Sequence, residues 1–273
     1  VNMEQGALSS AELALNGTAD GARCLRLASF NIQTGIRTGA FHHYLTGGWQ
    51  HLLPTPARAA NLSRIAQLLR PFDIVGLQEV DGGGARSRFV VQTQYLAEHG
   101  HYAYWHNQIN RRVGWLALHS NGLLSRYKPT RIEEFPLPGL PGRGAILAHY
   151  GDDPKHAFCV CVAHLALSRR GRLRQIDFLC ELLAPLPYAV LMGDLNCEPH
   201  SQELTLLENK GGFVNPMRGV KSFPSWRPHR LLDYILVKPD LPVKNVRVLD
   251  FACSDHLPIA LDMGLPANVA IAV

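Results

Sequence analysis

No apolar run in this 273-residue chain is longer than a β-strand, which excludes a transmembrane helix. The six cysteines contain no C-x-x-C pair, and the histidines lack the spacing of a structural zinc site. Cys24, Cys159, Cys161, Cys180, Cys197 and Cys253 therefore read as core thiols in a reducing compartment, with Cys159 and Cys161 on one face of a strand. No internal repeat, low-complexity block or linker interrupts the chain, which argues against a repeat architecture or two separate domains. Residues 1–22 lack a basic segment leading into a long apolar one, so no secretory signal is read there. They are expected to form a flexible leader, and the protein is expected to be cytoplasmic.

What the chain does have is apolar content enough, at 47% hydrophobic residues, to bury a large core. One domain is expected over residues 23–264, with a short tail at 265–273. A formal charge of +5 and an isoelectric point near 9.0 suit an anionic partner such as nucleic acid or an acidic membrane surface. Residues 25–30 alternate as a strand should, and Ala59, Leu62, Ile65, Ala66 and Leu69 have the spacing of a helix over 56–70. A strand over 73–79 follows, then a helix over 89–99 and the aromatic residues Tyr102, Tyr104 and Trp105. Strands are expected at 115–118, 123–125, 145–150, 158–163, 232–237, 246–251 and 258–261. Between them, residues 169–184 form an amphipathic helix with Leu173, Ile176, Leu179, Cys180 and Leu183 inward. Its arginines, Arg169, Arg170, Arg172 and Arg174, read as a solvated face rather than a nucleic-acid contact. A shorter helix over 199–209 is closed by Gly211 and Gly212.

Polar residues recur where these strands end. The apolar run before Gly193 opens onto Asp194 and Asn196, a carboxylate and a carboxamide two positions apart on one face. Asn31, Glu79 and His164 close three other runs, Asp233 opens another, and Asp255 and His256 precede the last strand. Singly, each has a plainer reading as a turn cap, a hydrogen-bonded core imidazole or a surface carboxylate. Their recurrence at successive strand ends points instead to an active site, because such ends project into the crevices where ligands bind.

In chain order, Ser29-Phe30-Asn31, Leu77-Gln78-Glu79-Val80, Val162-Ala163-His164-Leu165, Gly193-Asp194-Leu195-Asn196, Leu232-Asp233-Tyr234-Ile235 and Ser254-Asp255-His256 resemble the motifs of the endonuclease/exonuclease/phosphatase superfamily. The resemblance runs from about Leu25 to Met263. It implies an α/β fold of the deoxyribonuclease I type, a four-layer sandwich of two mostly antiparallel sheets packed face to face with helices outside. It also implies that Glu79 with Asn31 holds a divalent cation, Mg²⁺ or Mn²⁺, which Asp255 shares. Asp194 and Asn196 would sit on the attacking water and a phosphate oxygen, His164 and His256 would donate to the phosphate, and Asp233 would orient His256. The base is open between Asp194 and His256. By weaker matches, Asn121 and Arg143 would contact substrate, Arg143 as a phosphate clamp.

Hydrolysis of a phosphate ester needs in-line attack by water, neutralised phosphate oxygens and help for the leaving alkoxide, and carboxylates, imidazoles and a metal supply these. The expected activity is a metal-dependent phosphohydrolase using direct water attack. A phosphodiesterase acting on nucleic acid, lipid or a small molecule comes first. A phosphomonoesterase of the same fold is the alternative, and a non-catalytic anion-binding scaffold comes third. The expected partner is a phosphate-ester substrate, either nucleic acid or a lipid head group among them, with no obligate protein partner. Gln33 and His164 stand where apurinic endonucleases carry Asp and Tyr, which turns the resemblance toward deoxyribonuclease I, sphingomyelinases and inositol polyphosphate phosphatases. The segment Ser222-Phe223-Pro224-Ser225-Trp226 resembles a bacterial branch of the family. Residues 41–53, with His42, His43, Tyr44, Trp49 and His51, are read as a pocket rim, a lipid or base contact, or a plain surface loop.

Overall fold

The computed structural model describes residues 23–36, 56–153, 155–269 and 271–272. The leader at 1–22 and the insertion at 41–53 lie outside the described residues. In chain order the first elements are β1 (Arg23–Asn31), α1 (Pro56–Leu69), β2 (Ile74–Asp81), α2 (Gln92–Gly100), β3 (Tyr104–Val113) and β4 (Ala117–Ser125). They are followed by β5 (Arg131–Pro136), β6 (Gly144–Tyr150), β7 (Phe158–His164), α3 (Arg169–Leu183) and β8 (Tyr188–Asp194). The chain closes with α4 (Gln202–Asn209), β9 (Asp233–Val237), β10 (Val243–Val248) and β11 (Ile259–Leu265).

Two sheets result, one ordered β10-β11-β1-β2-β4-β3 and the other β5-β6-β7-β8-β9. Each is antiparallel except for one parallel pair near its centre, β1 with β2 and β7 with β8. A parallel pair needs a crossover, and α1 and α3 supply them, so each helix packs on the outside of its sheet. The result is the four-layer α/β sandwich with mostly antiparallel sheets.

Side-chain alternation sorts the two sides of each strand. Leu25 and Leu27 of β1, Ile74 of β2 and Leu123 of β4 join the core shared with the second sheet. Ala28, Phe30, Val75, Leu77 and Leu124 face the other way, onto Leu62, Ile65 and Leu69 of α1 and Leu96 of α2. Gly76 admits the opposite sheet closely: a Cβ there would lie 2.7 Å from the Met192 sulfur and 3.1 Å from Val162. Met192 and Val162 therefore point between the sheets, and so, two residues on, do Asp194 and His164. Register then makes a row, since His164 pairs with Asp194 and Asp194 with Asp233.

Two edge strands, β3 and β5, were not expected, because both are largely solvated and carry no apolar alternation. The stretches at 115–118 and 123–125 belong largely to one strand, β4, which runs through the polar residues His119, Ser120 and Asn121. Helix α2 begins later than its apolar pattern, since Arg88 and Phe89 adopt φ of 56° and 62°. Helix α4 likewise starts late, behind the Ser201 cap, whose hydroxyl accepts from the Leu204 N–H. Val269 and Ile271, in the segment read as a tail, are buried in the main core. All six cysteines are free and, apart from Cys24, buried. Among the described residues no helix is long and apolar enough to cross a membrane.

Gly193, at φ 146°, stands where a Cβ would approach the Ala163 carbonyl oxygen to 1.8 Å. Backbone blocks that contact on a neighbouring strand, so Gly193→Ala must shift β7 or β8. We expect it to lower stability by about 2 kcal/mol or more, read as a drop in the urea midpoint. Gly114→Ala also carries a positive φ but has open space around its Cβ, and should cost no more than about 1 kcal/mol.

Candidate active site

The row from the second sheet meets the ends of β1 and β2 across the inter-sheet space. Asn31, the last residue of β1, donates its Nδ2 to Asp194 Oδ2 at 3.1 Å and to Glu79 Oε1 at 3.3 Å, so one carboxamide ties a carboxylate from each sheet. Glu79 reaches this space through an irregularity. Leu77 pairs with Gly122 but Val80 pairs with Ser120, a β-bulge, and Glu79 takes φ 55°. Without the bulge, alternation would place Glu79 beside Leu77 on the helix side, where Val80 packs instead.

The segment before β11 brings in the remaining groups. Ser254 donates its hydroxyl to the Asn31 carbonyl at 2.7 Å, which docks Asp255 and His256 against the end of β1. His256 Nδ1 lies 2.8 Å from Asp233 Oδ2, and its Nε2 lies 3.7 Å from Asp194 Oδ2. Ser222 donates to the same Asp233 oxygen at 2.5 Å, and the Phe223 ring packs on His256 with centroids 4.8 Å apart. His164 Nε2 is 3.6 Å from Asp194 Oδ2 and 4.0 Å from Glu79 Oε1. Arg143 Nη1 is 2.8 and 3.0 Å from the two ring nitrogens of His164, so the guanidinium lies across the ring rather than along one lone pair.

Burial and charge divide these groups into acids and bases. Asp194, Asp233 and His256 each offer an atom within 4.8 Å of the others. At that distance two carboxylate charges repel by about 3 to 4 kcal/mol in an effective dielectric near 20. Burial pushes the Asp194 carboxyl up to about 7, with the Asp233 charge adding to the rise and His256 opposing it. Burial alone would lower His256, but Asp233 and Asp194 outweigh it and hold the imidazole well above its ordinary range, as a cation. His164 goes the other way: burial, then the Arg143 and His256 charges, keep it neutral. Glu79 is raised by burial and by the Asp255 carboxylate.

That last pair bears on a cation. Glu79, raised by burial and by the neighbouring Asp255 carboxylate, forms with it a hard-oxygen donor set in a partly enclosed site that a divalent ion would relieve, so Glu79 and Asp255 suit Mg²⁺ or Mn²⁺. Asp233 and His256, by contrast, spend their facing atoms on each other and read as an oriented imidazole rather than a ligand pair. Asn31 presents its nitrogen, not its oxygen, to Glu79, and its Oδ1 accepts from the Gln33 N–H at 3.1 Å. To serve as an oxygen ligand it would have to turn its carboxamide over.

Other expected residues are placed less simply. Asn196, at φ 52°, donates its side-chain nitrogen to the Leu165 carbonyl, and its N–H binds Asp194 Oδ1 at 3.0 Å. The structure thus ties it to the loop and to Asp194. Asn121 is buried and donates to the Gly144 carbonyl at 2.9 Å, bridging the sheets beside a cavity of about 280 Å³ that Glu79, Arg143 and His164 also line. Arg111, His119, Asn110 and Ser222 were not singled out from sequence. Only Ser222 carried a signal, as the first residue of the segment ending at Trp226.

An α/β sandwich with acidic and imidazole groups converging at one end of its inter-sheet space is the architecture of deoxyribonuclease I-like proteins. The chain belongs to the endonuclease/exonuclease/phosphatase family, whose sequence model matches residues 28–256. A Beutenbergia cavernae protein of this family is 21% identical, with a TM-score of 0.68 over 89% of this chain and 72% of its own. A mannosyl-6-phosphatase of Bacteroides thetaiotaomicron is 20% identical, with a TM-score of 0.65 over 88% of this chain and 99% of its own. The catalytic domain of human Nocturnin is 19% identical, with a TM-score of 0.63 over 88% and 93%. No curated protein matches the chain.

Stability should fall as pH rises above the ordinary imidazole value of 6.5. A carboxyl whose pKa climbs on folding is penalised as it ionises, so the Asp194 contribution declines from its unfolded value, near 4, toward about 7. His256, raised on folding, stabilises below its unfolded pKa, and that contribution is lost as pH passes its folded value. Both act in one direction, whereas His164 and His119, lowered on folding, act the other way until pH passes the ordinary imidazole value of 6.5. Above that value the opposing pair is silent, so the melting temperature without divalent cations should be lower at pH 8 than at pH 6.5, and Asp194→Asn should flatten the slope; a profile identical in the variant would show that Asp194 is not its source.

Proposed function

We propose that the protein is a divalent-cation-dependent phosphoester hydrolase that uses direct attack by water. The observation that carries this reading is the convergence of Asp194 with the Asp233–His256 pair, within 4.8 Å, beside Glu79 and His164, which line a polar cavity. Asp194, raised to about 7, is suited to take a proton from water near neutral pH, whereas His256 is already protonated by its two carboxylate neighbours. Asp194 is therefore assigned as base, and the Nε2–H of His256 as donor to a phosphate oxygen. Neutral His164 supplies a second donor, and Arg143 adds positive charge beside it. Asn31 holds Asp194 and Glu79 in place. Glu79 and Asp255 would hold Mg²⁺ or Mn²⁺, which when bound supplies charge neutralisation at the phosphate oxygens.

Of the two ester classes expected, the cavity supports the one read second. At about 280 Å³ and lined mostly by polar side chains, it suits a compact phosphomonoester better than a polymer or an acyl chain. A phosphatase by name among the structural neighbours is consistent with that preference.

The test compares 4-nitrophenyl phosphate with bis(4-nitrophenyl) phosphate, each with Mg²⁺, Mn²⁺ or chelator. Metal-dependent turnover with monoester preference is expected, reduced about 100-fold or more in Asp194→Ala and in His256→Ala. Diester preference would restore the phosphodiesterase reading. Turnover unchanged in both variants would remove the assigned residues from the chemistry, and binding without turnover of any ester would favour the scaffold.

A further inference from the structure

The cavity extends past the catalytic groups onto a floor made by β3 and β4. A second β-bulge shapes it: Ile109 pairs with Ser120 and Arg111 with His119, so Asn110 is the extra residue. The strand carrying His119, Ser120 and Asn121 thus has bulges on both sides. One turns Glu79 toward the catalytic centre, and the other sits beside Asn110 and Arg111. Arg111 runs over the loop before β6, where a Cβ on Gly142 would lie 3.3 Å from its Cδ. Gly142, at φ 107°, thereby lets two guanidiniums, Arg111 and Arg143, flank one short turn.

Arg143 lies in the field of Glu79 and Asp194, but the charge of Arg111 has no ion-pair partner among the described residues. Among the described residues neither Arg111 nor Arg143 has a carboxylate within ion-pair distance, and the one carboxylate lining the cavity is Glu79, on the catalytic side. His119 adds no charge: burial, then the Arg86 charge and those of Arg111 and Arg143, push its imidazole down to about 4, leaving it a neutral hydrogen-bonding group. Asn110, His119, Ser120 and Asn121 offer polar atoms suited to hydroxyls, and among the described residues Pro141 is the one apolar side chain in the lining. Among the described residues no aromatic carbocycle lines the cavity to stack on a base, and no aliphatic wall is there to take an acyl chain.

We infer that this floor is a subsite for a second anion. Arg111, with His119 and Asn110 beside it, receives an anionic group carried elsewhere on the ester, so the substrate is a phosphorylated sugar or polyol with a second phosphate or carboxylate. Arg143, across His164, serves the phosphate being cleaved, and Arg111 serves the one that is kept. This rests on the hydrolase reading for the first phosphate, but the subsite itself can be measured without turnover.

Binding is read by calorimetry on the Asp194→Asn protein. The ligands are glucose 6-phosphate, glucose 1,6-bisphosphate and fructose 1,6-bisphosphate, together with phosphatidylinositol 4-phosphate in phosphatidylcholine vesicles to distinguish a free from a lipid-borne polyol. At least one doubly anionic ligand should bind ten-fold or more tighter than glucose 6-phosphate. Adding Arg111→Gln should remove that gain and Arg111→Lys should keep part of it. Arg111 is exposed, so in the otherwise native protein Arg111→Gln should leave the melting temperature unchanged. Equal affinity for singly and doubly anionic ligands, or a gain that survives Arg111→Gln, would overturn the subsite. If the gain is present but no ester is hydrolysed, the subsite stands and the hydrolase reading falls.

Discussion

Carboxylates from four separate segments, Glu79, Asp194, Asp233 and Asp255, are forced into one end of the space between two sheets. Asp194, Asp233 and Asp255 are buried while Glu79 stays partly open to water, so the surrounding structure is arranged to tolerate negative charge. Asn31 spreads one amide over Asp194 and Glu79, Ser222 and His256 share one oxygen of Asp233, and Ser254 bonds Asp255 Oδ1 at 3.1 Å while docking its segment. Two cationic groups complete the balance, the imidazolium of His256 within the cluster and the Arg143 guanidinium at its border. The same crowding raises Asp194 and Glu79 and protonates His256, which are the features the proposed hydrolysis rests on.

Packing explains how these groups reach one place. The two parallel pairs lie near the middle of their sheets and face each other, with Gly76 giving up its side chain so that Met192 can cross the gap. Strands that pair in register end in register, which turns separate residues into a row. Bulges then break strict alternation where the row needs another member. Hydrogen bonds from one sheet to the other, such as Gln108 to the Phe135 and Ala145 carbonyls and Asn121 to that of Gly144, hold the β3–β4 hairpin over the second sheet, where the cavity opens.

Much of this was legible in advance where burial forces a pattern. The helices α1 and α3 and the strands β1, β2, β7 and β8 carry their apolar faces openly, and each of those strands has its polar residue at or beside the end. The solvated edge strands β3 and β5 were not legible, since their residues answer to hydrogen bonding with a neighbour rather than to a core. For the same reason Arg111 and His119 went unremarked: they lie on a largely exposed strand and in a polar gap in β4, and what joins them is a cross-strand pairing.

By itself the sequence determined the family and the inventory, with carboxylates and imidazoles at the ends of buried strands in an order that six short motifs share. It could not decide which atom of Asn31 faces Glu79, which of Asp194 and His256 holds a proton, or that Glu79 points inward at all. Those depend on a bulge, a register and the mutual burial of charges from distant segments. Local sequence determines a side chain's chemistry and period, but its protonation and direction are decided by neighbours that only the tertiary structure brings within a few ångströms.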